Sequence, residues 1–175
     1  MSPRQPFDPY ALFEALGTER LGYVVIGAFA RVVLGSAETT RGLDIAPSLR
    51  EENLRRLGRV LDDLEAKTGD GKPVRPERLA ADERTRLKTR AGELSIVRTP
   101  WGTRGYDDLR IRTNRENLGR GIRAPMASVV DLARMLDASP RPEDVARLHR
   151  LQRMLDIERQ LVRERRLSRG LSIER

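Results

Sequence analysis

In this 175-residue sequence, Asp44 is the residue whose setting most directly suggests chemistry. It interrupts an apolar pulse, Leu43-Asp44-Ile45-Ala46, and period-two alternation puts its carboxylate on the strand face opposite Leu43 and Ile45. Upstream, Tyr23-Val24-Val25-Ile26 is a β-branched run that stops at Gly27, the pattern of a buried strand ending in a turn. Residues 28–34 then supply about two helical turns with Arg31 as their single charge, and Gly35-Ser36 closes them. A carboxylate at such a strand end can hold a metal ion or accept backbone amides, and both roles fit Asp44. Glu38, in the loop before Gly42, is a candidate further ligand. Other chemistries are excluded by inventory. There is no cysteine, so disulfides, thiolate metal sites and cysteine nucleophiles are absent, and the single histidine, His149, cannot build a zinc site or a serine–histidine triad.

Strand, glycine turn, short helix, second glycine turn and lone carboxylate, in that order, resemble the nucleotidyltransferase superfamily with the polymerase-beta-like fold. The likeness is to its small bacterial branch related to abortive-infection and toxin–antitoxin nucleotidyltransferases. It continues through Gly105-Tyr106-Asp107-Asp108-Leu109, Met126-Ala127-Ser128-Val129-Val130-Asp131-Leu132 and Arg141-Pro142-Glu143-Asp144, and so covers residues 22–155. The resemblance implies an α+β fold: a mixed β-sheet flanked by helices, with a C-terminal helical extension. It also implies a nucleoside triphosphate held near Gly27, Ala28, Gly35, Ser36 and Arg41, and Mg2+ held by three carboxylates that align an attacking hydroxyl with the α-phosphate. The chain departs from that pattern at the metal. Gly42 stands where the first acid belongs and Ser95, in Gly92-Glu93-Leu94-Ser95-Ile96-Val97, where the third belongs; Asp44 alone remains. Ala28 departs from the usual glycine pair. The resemblance therefore implies a degenerate protein that binds nucleotide, RNA or a protein partner such as a cognate antitoxin or toxin, with weak magnesium binding and little turnover. The alternative is an active transferase acting on RNA or protein, with Asp44 and Glu38 holding one metal.

The elements that must position these residues are readable in outline. Residues 1–9 form an arm resting on the domain through Phe7, residues 10–139 the nucleotidyltransferase-like domain, and residues 140–175 a long helix with a basic tail. Asp8-Pro9 opens a short amphipathic helix closed by Gly17. Ser48 caps a helix bearing Leu54, Leu57, Leu61 and Leu64. Thr68 to Pro76 is a loop and residues 77–82 a helical turn. Residues 84–90 alternate like a strand while their arginines and lysine are equally good helix formers, and the resemblance implies a strand there, paired with residues 93–97; residues 106–112 read as a short helix and residues 120–126 as a short extended piece. Ser128 caps a further helix. In the last helix Val145, Leu148, Leu151, Leu155, Leu161 and Val162 form an apolar stripe. Trp101 is suited to packing or to stacking on a base.

The formal charge is +8, with 31 arginines against three lysines, which suits an anionic partner as well as a compositional bias toward arginine. From residue 159 onward six arginines face two glutamates. Helical spacing places Arg159, Arg163 and Arg166 on one edge that can track RNA phosphates; Leu161 with Leu167 equally suits self-association. No run reaches the roughly 18 apolar residues of a membrane span, and the N-terminus lacks a signal peptide's apolar core, so a cytoplasmic protein is expected.

Overall fold

The computed structural model describes residues 6–171; residues 1–5 of the expected arm and 172–175 of the tail lie outside the described residues. Helix α1 (Pro9–Thr18) starts at Asp8, whose side chain accepts the Ala11 amide at 3.1 Å, with Pro9 in the first turn where a backbone N–H would have no helical partner. Phe7 meets Phe29 edge-on at 6.0 Å. Strand β1 (Tyr23–Ile26) is buried at every position and runs directly into α2 (Gly27–Val33). Then come β2 (Gly42–Pro47), α3 (Glu51–Asp63), α4 (Pro76–Ala81), β3 (Arg84–Thr89) and β4 (Gly92–Val97). Helix α5 (Tyr106–Leu109) continues as a 3-10 turn, Arg110–Arg112, and is followed by β5 (Asn114–Gly119), β6 (Ile122–Met126), α6 (Val129–Asp137) and α7 (Glu143–Leu171).

The six strands form one mixed sheet in the order β3-β4-β2-β1-β6-β5. At its centre β1 runs antiparallel to β2 and parallel to β6, while β2 runs parallel to β4; the outer pairs β3–β4 and β5–β6 are antiparallel hairpins. Helix α1 lies on α3 and β6, α2 lies on β2 and α6, and α6 carries α7. Leu12, Leu16, Ile45, Leu57, Leu61, Leu94, Ile96 and Met126 all belong to one continuous core. The expected mixed sheet flanked by helices is thus the fold observed. No helix among the described residues is long and apolar enough to cross a membrane.

Three local readings are corrected. Helix α3 begins at Glu51 with Arg50 as its cap residue and no side-chain cap bond, so Ser48 is not its N-cap. Ser48 instead donates its amide to Gly22 O, and buried Asn53 closes that corner by bonding Gly22 N at 2.7 Å, Gly22 O at 3.0 Å and Ser48 O at 2.8 Å. The extended piece over 120–126 is half of a hairpin. Its other half, β5, reads Asn-Arg-Glu-Asn-Leu-Gly and shows no apolar alternation, because an edge strand needs little apolar surface. The turn between them is left-handed throughout, with φ of +85° at Gly119, +52° at Arg120 and +77° at Gly121.

The apolar stripe of α7 does not pack along its length. Leu151 is buried and Leu148 and Met154 rest on the core, but Val145, Leu161 and Val162 are 54%, 47% and 50% exposed. Beyond Leu155 every residue up to Ser168 is exposed, so the last turns of α7 leave the domain. Deleting residues 160–175 should therefore leave the thermal unfolding midpoint unchanged, whereas Leu151→Ala should cost about 2–5 kcal/mol. A lowered midpoint in the deletion would mean that the tail shares the core.

Candidate functional site

The site is built where β1 ends and α2 begins. Ile26 stands opposite Asp44 across the β1–β2 pair, Asp44 stands beside Ser95 in the parallel β2–β4 pair, and Ser95 stands opposite Arg86 on β3. Side chains at matched positions share a face, so Gly42, Asp44, Glu93, Ser95, Arg84, Arg86 and Lys88 all belong to the face opposite Leu43 and Ile45. Gly27 turns the chain from strand to helix at φ +72°, and a Cβ there would lie 2.2 Å from Asp44 Oδ2. Only glycine fits both the left-handed backbone and the carboxylate beneath it. The Asp44 carboxylate is already engaged from the other side, because Arg84 Nη2 donates to Oδ1 at 2.8 Å.

Gly42 and Ser95, the two positions where the resemblance leads one to expect an acid, differ in kind. Ser95 lies beside Asp44 in the β2–β4 pair. Gly42 is enclosed: a Cβ there would lie 2.6 Å from Glu93 O and 2.8 Å from Glu93 Cβ. The β2–β4 strands approach so closely at this point that an aspartate at position 42 requires the backbone to part. Changing Gly42 and Ser95 together to aspartate therefore does not restore a carboxylate set on this backbone.

Around Asp44 opens a cavity of about 260 Å³. Its lining divides by chemistry: Ile26, Val97, Leu132, Met135 and Leu136 are apolar, while Arg31, Arg84, Arg141, Arg147, Asp44, Glu83 and Asp144 are charged. Trp101 stands at the rim, 41% exposed, with the Arg141 guanidinium 4.9 Å from its ring centroid, a cation–π contact.

Along one wall of the cavity an ion network ties three segments together. Arg31 of α2 grips Glu38 through Nε at 2.7 Å and Nη2 at 2.9 Å, and Ser36 adds its hydroxyl at 2.9 Å. Arg147 of α7 reaches the same carboxylate at 3.3 Å and also donates to Asp144 at 2.6 Å. Asp144, 1% exposed, accepts from Ser139 at 2.6 Å and from Arg141 at 3.1 Å as well. Burial alone would raise the Glu38 pKa, but hydrogen bonds from Arg31 and Ser36 and the charges of Arg31 and Arg147 hold it below the usual carboxylate range. Asp144 is lowered in the same way: burial opposes, and Ser139, Arg147 and Arg141 prevail.

The sequence-predicted residues separate accordingly. Gly27, Ala28 and Asp44 line the cavity together. Gly35, at φ +98°, ends α2, and Ser36 serves Glu38. Exposed Arg41 lies outside the cavity lining, as do Gly42 and Ser95. Both oxygens of Glu38 are taken by arginines, which fits a structural carboxylate rather than a metal ligand. Arg159 is loosely paired with Asp156 at 3.7 Å, and Arg159, Arg163 and Arg166 are exposed on the free end of α7. Sequence reasoning missed Arg84, Arg141, Arg147 and Asp144. For Arg84 a signal existed, since alternation on β3 puts it in register with the Asp44 face once β3, β4 and β2 are paired.

These donors do not suit magnesium. The ion takes near-octahedral oxygen coordination, and here the Asp44 carboxylate is already held by a guanidinium and its neighbour on β4 is a serine. Among the described residues no group of three histidine, cysteine, aspartate or glutamate side chains is placed to hold a metal.

Comparison with solved structures agrees on the fold. The antibiotic-resistance factor ANT(2'')-Ia matches with a TM-score of 0.55 at 14% identity, over 95% of this chain and 92% of its own. The lincosamide antibiotic adenylyltransferase LnuA, solved with lincomycin, matches at 0.52 and 16% identity over 85% and 98%. TM1012 of Thermotoga maritima, described as a nucleotidyltransferase, matches at 0.51 and 13% over 93% and 99%. No protein-family model and no curated protein matches the sequence. The chain therefore has the nucleotidyltransferase fold.

The ion network makes a pH prediction. Carboxylates lowered by folding stabilise the protein above their unfolded values, roughly pH 4, and that stabilisation disappears as pH falls through the lower folded values. Glu38→Gln should lower stability at pH 7 by about 2 kcal/mol. It should also make the acid limb of a denaturation curve shallower below pH 4. An unchanged acid limb would remove Glu38 from the account.

Proposed function

We propose that this protein is a degenerate nucleotidyltransferase-like protein that binds a nucleotide with little or no turnover. The observation that carries this reading is the closure of position 42 by the Glu93 backbone. It leaves Asp44 without the neighbouring acid that two-metal phosphoryl chemistry requires. Three further features support it: Ser95 in place of an acid beside Asp44, Arg84 on Asp44, and a cavity with one apolar wall and several guanidinium groups. The neighbours' descriptions as a nucleotidyltransferase and an adenylyltransferase make a nucleotide the first ligand to test.

The chain's own residues have definite tasks in this reading. Gly27 lets the α2 N-terminus approach the ligand closely, Arg84 neutralises Asp44, and Arg141 with Trp101 offers a flat, cationic rim. The free, arginine-bearing end of α7 gives the protein a surface for RNA or for a protein partner, a cognate toxin or antitoxin included.

Labelled ATP, GTP, CTP and UTP incubated with the protein, magnesium, total tRNA and total protein should give no incorporation above background, while at least one of them binds in equilibrium dialysis. Incorporation that depends on magnesium and disappears in Asp44→Ala would establish an active transferase instead.

A further inference from the structure

The mismatch between this site and magnesium has a positive side, because the place beside Asp44 that a cation would fill is filled. We propose, resting on the nucleotide-binding reading above, that Arg84 and its neighbours on β3 take the metal's part, and that this protein binds a nucleoside triphosphate as the free, magnesium-less polyanion.

Arg84 meets Asp44 through a single nitrogen, Nη2, at 2.8 Å. A guanidinium carries five N–H donors in a fixed fork, so most of its donors stay available while it neutralises the carboxylate. It lines the cavity and remains partly open to solvent. Two residues along β3, a step of about 7 Å, Arg86 stands opposite Ser95, and Lys88 follows opposite Glu93. Both are exposed, and neither has a carboxylate partner among the described residues. Cations spaced in this way on one sheet face can take successive phosphates of a flexible polyphosphate. Acids face the same groove: Asp44, Glu83 and, at the far end, Glu93. Asp44 is compensated by Arg84, but its charge still opposes an incoming phosphate.

The other end of the site suits a nucleoside. The cavity, about 260 Å³, lies just under the roughly 300–1,000 Å³ of small-molecule pockets, so it holds part of a nucleotide and leaves the phosphates over the open β3 face. Trp101 with Arg141 gives a stacking surface beside Leu132, Met135 and Leu136.

The test is isothermal titration of ATP, GTP, CTP and UTP, each in EDTA and in excess magnesium, on the full chain. At least one should bind in EDTA, and magnesium, by complexing the triphosphate, should weaken that binding several-fold. Arg86→Ala, at an exposed position outside the core, should weaken binding in EDTA about tenfold, the loss of one charge-assisted hydrogen bond. Arg84→Ala should do the same. Asp44→Asn removes the opposing charge and frees Arg84, so it should tighten binding, the reverse of what a metal ligand would show. Binding that requires magnesium and is abolished by Asp44→Asn would overturn this inference while leaving a nucleotide site in place. Absence of binding in both buffers would overturn the inference and the nucleotide reading together.

Discussion

The contact on which the rest of the site depends is that of the Asp44 carboxylate, held between Gly27 and Arg84. Four strands and a turn must agree for it to exist. The β1–β2 register puts Ile26 opposite Asp44, so the next residue, Gly27, turns over the carboxylate. The β2–β4–β3 register brings Arg84 to the same side. A shift of one residue in either pairing would send Asp44 to the face of Leu43 and Ile45, where a charge has no partner. The fold therefore fixes the carboxylate's position, and the cation beside it decides what that position can do.

The same logic runs along one wall of the cavity. Arg31, Glu38, Arg147 and Asp144 belong to α2, the loop after it and α7, and their ion pairs join these elements. Buried ion pairs of this kind contribute modestly to net stability but are costly to break singly, because each leaves an unpaired charge behind. They fix where the arginines of the cavity point. Since Arg31, Arg147 and Arg141 are committed to Glu38 and Asp144, the cations left to meet a ligand are those on β3.

Much of this architecture is legible in the sequence wherever burial dictates residue type. The run Tyr23-Val24-Val25-Ile26 announces a strand, Gly27 and Gly35 mark the turns about a short helix, and the alternation around Asp44 gives its face correctly. What escapes is set by partners distant in sequence. Strand β5 is polar because it lies at the sheet edge, and Ser48 resembles a cap while its amide serves Gly22. The closure at Gly42 arises from the Glu93 backbone, and the compensation of Asp44 from an arginine on another strand. A missing acid can be read from one position; the reason it cannot be replaced needs the register of two strands.

The central claim, that the Asp44 face is closed to divalent metal by strand approach and by Arg84, is tested most directly by manganese titration followed through paramagnetic broadening of backbone amide signals. The account predicts no selective, saturable broadening at Gly27, Asp44 or Ser95 in the wild-type protein. It predicts that Arg84→Ala, which frees the carboxylate, raises broadening there only weakly. Selective loss of those signals in the wild-type protein at low manganese, reversed by Asp44→Ala, would contradict it.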